Sequence, residues 1–278
     1  MRVVIRGAGD LASGVALRLL RAGMDVVLLD VEKPTAIRRT VAFSEAIVHG
    51  VQRVEDVTAR LATAETAEET LAAGYIPVLV DPEGRSVPKL KPDALVDAIL
   101  AKRNLGTEIR DAPVVIGVGP GFTAGVDCHA VVETMRGHTL GRVIHEGSAI
   151  PNTGIPGLIG GFAGERVLRA PAAGLFHPRR DIGDAVTEGE ILATVEGKPI
   201  IATLTGTLRG ILPEGTEVFP GMKAGDIDPR CQRSHCFTAS DKALAVGGGV
   251  LEAILALTGA LRETGIRRAG GEGEEDHG

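Results

Sequence analysis

The sequence predicts an α/β fold, with a parallel-sheet unit at the amino end followed by a smaller, β-rich unit. A short β-branched segment, Arg2–Arg6, leads into a glycine turn, and Leu11–Ala22 then carries apolar residues at helical spacing. A second apolar segment, Val26–Leu29, follows the helix, and a strand–helix–strand order favours parallel pairing. From about residue 165 the chain changes to short apolar segments separated by glycines, which indicates strands and turns.

Composition limits the classes of function. The chain has 278 residues, a formal net charge of −6 and three cysteines. An acidic balance argues against a nucleic acid or an anionic membrane as partner, and three sparse cysteines do not make a disulfide scaffold. The sequence shows neither a signal peptide nor an 18-residue apolar run, so we expect a cytoplasmic protein without a membrane span.

The first glycine turn has the pattern of a Rossmann-like nucleotide-binding unit. It fits G-x-G-x-x-A, in which Gly7 allows the tight turn, Gly9 lets a diphosphate approach the backbone, and Ala12 permits close helix packing. Asp30 ends the second strand, where a carboxylate would accept a bond from a ribose hydroxyl. Asp10 argues the other way, because its charge would repel a diphosphate. The alternative is a fold of this type with an empty or altered site.

A second glycine cluster lies further along the chain and suits an anionic ligand. It contains Gly119 and Gly121 after an apolar strand, and Arg136 and His138 follow closely. We expect these four residues to form the wall facing the first glycine turn, with a helix over Val126–Met135 between them. A purely structural turn is the equally weighted alternative.

The region from 165 to 230 contains an internal repeat with an offset of 32 residues. Five residues recur at that offset, pairing Ala170 with Ala202, Gly174 with Gly206, Gly183 with Gly215, Val186 with Val218 and Gly189 with Gly221. The turn around Gly183–Gly189 resembles that of barrel-sandwich-hybrid (biotinyl- or lipoyl-like) domains. Lys198 falls at the hairpin that carries the modified lysine in such domains, but it lacks the flanking methionines, so we expect it to be unmodified.

Candidate catalytic groups lie in the last third of the chain. Asp228, Asp241 and Lys242 belong to two charged segments that form either a site or an interdomain network. Cys236 is the best-placed cysteine for soft-ligand or redox chemistry. Its spacing from Cys231 lacks a second ligand pair, so we predict no metal site.

These observations predict four parts. We expect a Rossmann-like domain over 1–150, a barrel-sandwich-hybrid-like domain over 165–230, a carboxy-terminal loop and helix over 231–262, and a disordered tail over 267–278. Within the first part, the apolar spacing also predicts a helix over Asp93–Lys102.

Several motifs together resemble a known family. In order they are Val41–Ala46, Gly119–Gly125, Glu133–Arg142, Asp226–Arg230 and Ser240–Ala243. The chain resembles the accessory, or maturation, proteins of selenium-dependent molybdenum hydroxylases over residues 1 to about 258. The resemblance implies a factor that supports selenium or sulfur loading of a client molybdenum hydroxylase.

The combined reading is an accessory factor that binds a nucleotide or a pterin-dinucleotide molybdenum cofactor. One alternative is an NAD(P)-dependent oxidoreductase, which shares the glycine fingerprint but lacks a Tyr-x-x-x-Lys pair. Another is a non-enzymatic carrier or interaction module built on the repeat. Whether the chain is an enzyme, and its oligomeric state, are left open by the sequence.

Overall fold

The computed structural model describes residues 1–154 and 157–260 and has an α/β architecture. Its largest element is a nine-stranded mixed sheet with the strand order β10-β9-β7-β6-β1-β2-β5-β4-β3. The strands of this sheet are β1 (Arg2–Arg6), β2 (Asp25–Asp30), β3 (Val51–Val54), β4 (Val57–Ala62), β5 (Ile76–Val80), β6 (Ala94–Asp97), β7 (Val114–Val118), β9 (Ala130–Val132) and β10 (Val143–Ile144). A two-stranded sheet joins β8 (Thr123–Ala124) to β11 (Gly147–Ser148).

Seven neighbouring strands of the large sheet are parallel, and only its edge strands β3 and β10 run antiparallel to their neighbours. The chain leaves β1 towards β2 on one side, whereas β6 pairs on the other side of β1. The carboxyl ends of β1 and β6 therefore border a point where the strand order reverses, which is where open α/β sheets form a crevice.

Five helices accompany the sheets. They are α1 (Asp10–Arg21), α2 (Glu45–His49), α3 (Ala67–Ala72), α4 (Val87–Leu90) and α5 (Asp241–Leu257), and short 3-10 turns lie at Arg39–Val41, Gly164–Arg166 and Arg233–Cys236. The predicted strand–helix–strand at the amino end is confirmed, with α1 beginning one residue earlier than expected.

Two predicted helices are wrong. Residues 94–97 form β6 instead of a helix, and Leu95 and Val96 are buried on opposite faces of the sheet. A strand covered on both faces reads as a continuous apolar run, which mimics a helical face in a short window. Likewise, residues 130–132 form β9 beside β7, where the helix over Val126–Met135 was expected.

The carboxy-terminal helix α5 belongs to the core of the large sheet. Its residues Val246 and Val250 are fully buried together with Val15 and Leu19 of α1. The two helices approach so closely at Gly14 that a Cβ atom there would lie 2.5 Å from the Cβ atom of Ala243. After the β-rich unit, the chain thus returns to the large-sheet unit.

The β-rich unit consists of two four-stranded antiparallel sheets with the orders β12-β19-β17-β14 and β16-β15-β13-β18. Their strands are β12 (Val167–Arg169), β13 (Gly174–Pro178), β14 (Ala185–Val186), β15 (Ile191–Val195), β16 (Lys198–Ile201), β17 (Gly206–Ile211), β18 (Glu217–Val218) and β19 (Lys223–Asp228). We call the first the inner sheet, since it faces the large-sheet unit, and the second the outer sheet.

The two sheets are related by the 32-residue repeat. Adding 32 to the positions of β12, β13, β14 and β15 gives β16, β17, β18 and β19, and this exchange converts the inner strand order into the outer one. Equivalent pairs recur across the two sheets: Gly174 pairs with Val218, and Gly206 pairs with Val186. Each sheet therefore contains strands from both copies, so neither copy completes a sheet alone.

The inner sheet is fixed to the large-sheet unit by hydrogen bonds at Ile211 and by close backbone packing. The Ile211 N–H donates to the Ile37 carbonyl at 2.8 Å, and Arg39 Nε donates to the Ile211 carbonyl at 3.0 Å. A Cβ atom on Gly210 would lie 2.8 Å from the Ile37 carbonyl oxygen, so a glycine is needed for this approach. Strand β17 is buried along its whole length as a result.

Candidate functional site

A cavity of about 460 Å³ lies between the inner sheet and the ends of the large sheet. We call it the basic cavity, because basic side chains line both of its walls. The β-rich unit contributes Arg166, Arg169, Arg209 and Lys223. The large-sheet unit and α5 contribute Arg38, Lys102, Arg136 and Lys242. Among the described residues that line it, the carboxylates are those of Asp10 and Asp226.

The floor of the basic cavity is the face of the inner sheet that looks towards the large-sheet unit. The repeat allows each residue of this face to be compared with the residue at the equivalent position of the outer sheet. The positions of Arg209, Lys223 and Asp226 in the inner sheet are occupied in the outer sheet by His177, Ile191 and Thr194. Arg169 likewise corresponds to Ile201. The basic residues therefore belong to the inner sheet and are not shared by the equivalent positions of the outer sheet, so the framework itself does not require them.

Arg209 is the most unusual group in the cavity. It is only 5% exposed, and no hydrogen bond from its guanidinium is found among the described residues. Its nearest charged neighbours, Asp226 and Asp228, lie 3.9 Å away. Burial, followed by the charge of Arg38, lowers the pKa of Arg209. A buried guanidinium without hydrogen-bond partners is costly, and the two ion pairs at 3.9 Å are too long to be hydrogen bonds.

The two carboxylates near Arg209 already have closer arginine partners. Asp226 accepts a hydrogen bond from Arg166 at 2.9 Å, and both side chains are buried. Asp228, which is fully buried, accepts from the backbone N–H and the guanidinium of Arg230, with an Nη2–Oδ2 distance of 2.7 Å. Arg209 is therefore the more distant arginine of both carboxylates.

Asp10 does not carry a free charge into the site. Both of its oxygens accept from Arg38 Nη1 at 2.8 Å, and the other terminal nitrogen of Arg38 donates to the carbonyls of His235 and Thr238. One guanidinium nitrogen is thus shared by both carboxylate oxygens in a charge-assisted contact. This contact ties the first turn of α1 to the segment that precedes α5, and it answers the objection that Asp10 repels an anion.

Arg136 lies on the opposite wall and is held by two contacts. It forms a bidentate ion pair with Asp241 at 2.7 and 2.8 Å, which lowers the pKa of Asp241. Its loop is fixed by the buried Glu133, whose side chain accepts from the N–H groups of Thr134, Met135 and Ile150. Arg136 therefore lines the basic cavity, and Asp241 holds it in place from outside the lining.

Two lysines complete the cavity from opposite sides. Lys242 is in the first turn of α5, and Lys223 begins β19. Burial within the cavity walls lowers the pKa of both, and Arg136 adds to the effect at Lys242. Lys223 has a solvent-accessible side chain because it borders the cavity, although protein surrounds it on the other sides. Among the described residues, eight basic side chains line the cavity against two carboxylates, so the excess of basic groups is seen in the lining itself.

A second cavity of about 400 Å³ lies beside the first, at the strand-order reversal between β1 and β6. We call it the glycine-loop cavity, because Gly7, Gly9 and Ala12 line it. Asp30 also lines it, and its oxygens accept from the N–H groups of Ala8 and Val31, each at 2.7 Å. Burial raises the pKa of Asp30. Asp30 therefore shapes the loop directly, a role that the sequence did not indicate.

Glycine occupies the two positions of this loop for different reasons. Gly7 has φ +101°, and a Cβ atom there would lie 2.7 Å from the Ala98 carbonyl oxygen, so the fold itself requires glycine. Gly9 has φ −72°, and a Cβ atom there would have no atom within 4 Å. Packing does not require glycine at position 9, and its missing side chain leaves space in the cavity.

The other three predicted wall residues do not line the basic cavity. Gly119 packs against the Thr134 side chain, and Gly121 packs against the Arg103 backbone, where a Cβ atom would lie 2.7 Å away. These two glycines serve close packing around the loop and do not line the basic cavity. His138 is exposed and lies outside both cavities. Of the four predicted wall residues, only Arg136 faces the basic cavity.

The candidate catalytic residues are also separated. Lys242 lines the basic cavity, and Asp241 anchors Arg136 beside it. Asp228 is buried behind the cavity among arginines, which hold its pKa at about 2 against the opposing effect of burial. Cys236 is fully buried, its pKa is raised by burial, and its thiol contacts the Leu208 carbonyl oxygen. This placement does not favour soft-ligand or redox chemistry at Cys236.

No cluster of three or more metal-ligating side chains occurs among residues 1–154 and 157–260. Within the same ranges, no helix is both long and apolar enough to cross a bilayer. The predicted tail over 267–278 lies outside the described residues.

Comparisons with known proteins give one curated relative. No protein-family profile matches the chain. The chain is 56% identical over 256 residues to a protein of Escherichia coli K12 that carries the name YqeB and the description uncharacterized. The match covers 92% of this chain but 47% of that protein, so the chain spans about half the length of the curated relative it matches.

Solved structures give weaker matches. One is described as an aspartoacylase family protein of Mesorhizobium loti, with 12% identity, a TM-score of 0.25 and coverage of 81% of this chain and 83% of that one. Another is a succinylglutamate desuccinylase/aspartoacylase of Rhodobacter sphaeroides, with 16% identity, a TM-score of 0.27 and coverage of 81% and 85%. Likeness at this level carries no activity over to this chain.

These comparisons contradict the predicted family and function. The matched structures bear aspartoacylase and desuccinylase names, and neither they nor the curated relative are described as accessory proteins of selenium-dependent molybdenum hydroxylases. The expected maturation factor and the alternative NAD(P)-dependent oxidoreductase are both set aside.

Sequence reasoning missed Arg209 and Lys223 of the basic cavity, and it missed the buried Ser44, which lines the glycine-loop cavity. Arg209 and Lys223 lie on strands of the repeat, where alternation predicts only which face they occupy. The usable signal was the repeat itself, since aligning its copies shows arginine and lysine where the other copy has His177 and Ile191. Arg38 and Lys102 also line the basic cavity.

Proposed function

We propose that this chain binds a small polyanionic molecule in the basic cavity. The observation that carries the proposal is Arg209, a guanidinium that is 5% exposed, lines the cavity and has no hydrogen-bond partner among the described residues. A phosphate or carboxylate ligand would supply acceptors for it in charge-assisted hydrogen bonds.

The charge balance supports an anionic ligand. The chain carries a net charge of −6, yet basic groups outnumber the carboxylates that line this one cavity. Such a concentration destabilises the folded protein unless an anion offsets it. The cavity's volume is in the range that holds small molecules, so it suits a phosphorylated or multiply carboxylated metabolite.

The finer fold assignment is part of this proposal. We propose that the large-sheet unit is Rossmann-like, on the parallel order and the reversal between β1 and β6. We propose that the β-rich unit is barrel-sandwich-hybrid-like, on its two interleaved sheets. In this arrangement the inner sheet closes the ligand site of the first unit. The cytoplasm remains the predicted location.

Isothermal titration calorimetry with sodium pyrophosphate tests the proposal. We expect saturable binding by the wild-type chain and a loss of affinity of about tenfold or more in Arg209→Met, since hydrogen bonds to charged groups contribute roughly 1.5–3 kcal/mol. The matched control is His177→Met, which changes the equivalent position of the outer sheet and should leave affinity unchanged. Absence of binding by the wild type, or equal affinity in Arg209→Met, would contradict the proposal.

A further inference from the structure

We infer that the ligand is a phosphorylated sugar or nucleotide that spans both cavities, with its phosphates in the basic cavity and its sugar in the glycine-loop cavity. This inference rests on the proposed function and adds the class and the orientation of the ligand. The orientation is the reverse of the usual one in dinucleotide-binding units, where the phosphate lies against the glycine turn.

The charge of the two cavities sets the orientation. No lysine, arginine or histidine is found among the described residues that line the glycine-loop cavity, whereas the carboxylate of Asp30 does line it. The charge of Asp10, which also lines it, is already paired with Arg38. A phosphate placed there would meet negative charge without a cation of its own. The neighbouring basic cavity offers Arg209, Lys223 and Lys242. Coulomb attraction therefore places the anionic part of the ligand on the inner-sheet side.

The glycine-loop cavity has an unsatisfied hydroxyl that suits a sugar. Ser44 is fully buried, lines this cavity, and its Oγ atom has no hydrogen-bond partner among the described residues. A hydroxyl both donates and accepts, so it can pair with a ligand hydroxyl. Asp30 lies in the same cavity with acceptor capacity beyond its two backbone contacts. The space left at Gly9 provides room for the ring.

The two cavities adjoin, so one molecule can occupy both. Asp10 and Leu11, in the first turn of α1, line each of them. The Asp10 carboxylate is held by Arg38 on both oxygens, which keeps it from competing for the basic groups of the far wall. A ligand would pass over this turn with its uncharged part towards Ser44 and its charge towards Arg209.

Matched pairs of ligands test this inference by calorimetry. The pairs are inorganic phosphate with ribose 5-phosphate, and pyrophosphate with ADP. We expect each organic phosphate to bind about tenfold or more tightly than its inorganic partner. If both organic ligands gain affinity, the sugar alone accounts for it; if only ADP gains, the base is required as well. Both results support a spanning ligand.

Two variants locate the organic part. Ser44→Ala removes a hydroxyl without a protein partner, and Gly9→Val adds methyl groups where the cavity is open. Both should weaken ADP binding by about threefold to tenfold or more and leave pyrophosphate affinity unchanged, with unchanged melting temperatures as the folding control. If pyrophosphate binds but neither organic phosphate gains affinity, the inference fails while the proposed function stands. If both variants weaken pyrophosphate equally, the orientation is wrong. If no phosphate compound binds, both proposals fail.

Discussion

Arg209 and His177 occupy equivalent positions, 32 residues apart, in the two copies of the repeat, and their surroundings are opposite. His177 is on the outer sheet, half exposed and paired with Glu214. Arg209 is on the inner sheet, buried against the large-sheet unit and lining the basic cavity. One framework thus presents a solvent-facing position and a cavity-facing one.

Replacing each of two buried arginines should change the free energy of unfolding by different amounts. Arg209→Met removes a guanidinium without hydrogen-bond partners, so we expect the free energy of unfolding to change by less than about 1 kcal/mol or to rise. Arg166→Met, at equal burial, leaves Asp226 without its 2.9 Å partner and should cost about 3 kcal/mol. Urea denaturation measures both. Equal losses in the two variants would show that Arg209 is a structural residue.

Asp228 should contribute to acid stability and not to binding. Its pKa is held at about 2 by Arg230, below the unfolded value of about 3.9. A lowered pKa gives stability that is present above pH 4 and is lost as the pH falls towards 2, about 2 kcal/mol in all. Asp228→Asn should therefore be less stable at pH 7, with a difference that shrinks between pH 4 and 2, and should keep its pyrophosphate affinity. A variant of normal stability that has lost affinity would make Asp228 a site residue.

Anion affinity should fall at alkaline pH. The pKa values of Lys223 and Lys242 are lowered, so both lose their charge at a lower pH than a free lysine does. Binding of sulfate, whose charge is constant from pH 7 to 10, should weaken across that range as these ammonium groups deprotonate. Lys242→Met should flatten the dependence, and Lys33→Met, an exposed lysine outside both cavities, should not. An unchanged slope in Lys242→Met would count against its facing the anion.

Substitution of two neighbouring glycines in helix α5 should have different effects on stability. A Cβ atom on Gly249 would lie 2.2 Å from the Gly141 carbonyl oxygen, whereas one on Gly248 would have no atom within 4 Å. Gly249→Ala should destabilise the protein by about 1–3 kcal/mol through overpacking. Gly248→Ala should be neutral or stabilise it by up to about 1 kcal/mol through helix propensity. Thermal denaturation of the two variants compares them directly, and a Gly249→Ala variant as stable as Gly248→Ala would contradict the close packing of α5.

Much of the framework could be predicted from the sequence because local signals were consistent. The β1–α1–β2 order followed from a β-branched run, a glycine turn and helical spacing. The 32-residue repeat predicted a two-copy β unit, and its copies match strand for strand. The helix expected over 93–102 failed because β6 is buried on both faces, so its apolar run carries no period of two.

The site could be predicted only in part, because its residues are distant in sequence. Arg38, Arg209 and Lys242 meet only when the inner sheet packs on the large-sheet unit, a tertiary contact that no local pattern encodes. Gly7, Gly9 and Asp30 line one cavity, and Asp30 bonds the loop backbone there. The unsatisfied state of Arg209 is a property of its surroundings and has no counterpart in its sequence neighbours.

A crystal structure of the pyrophosphate complex tests the central claim most directly. The account predicts pyrophosphate density in the basic cavity, with an oxygen within about 2.7–3.2 Å of an Arg209 guanidinium nitrogen. Pyrophosphate bound against the backbone at Gly7 and Gly9, or absent from the basic cavity in a saturated crystal, would contradict it.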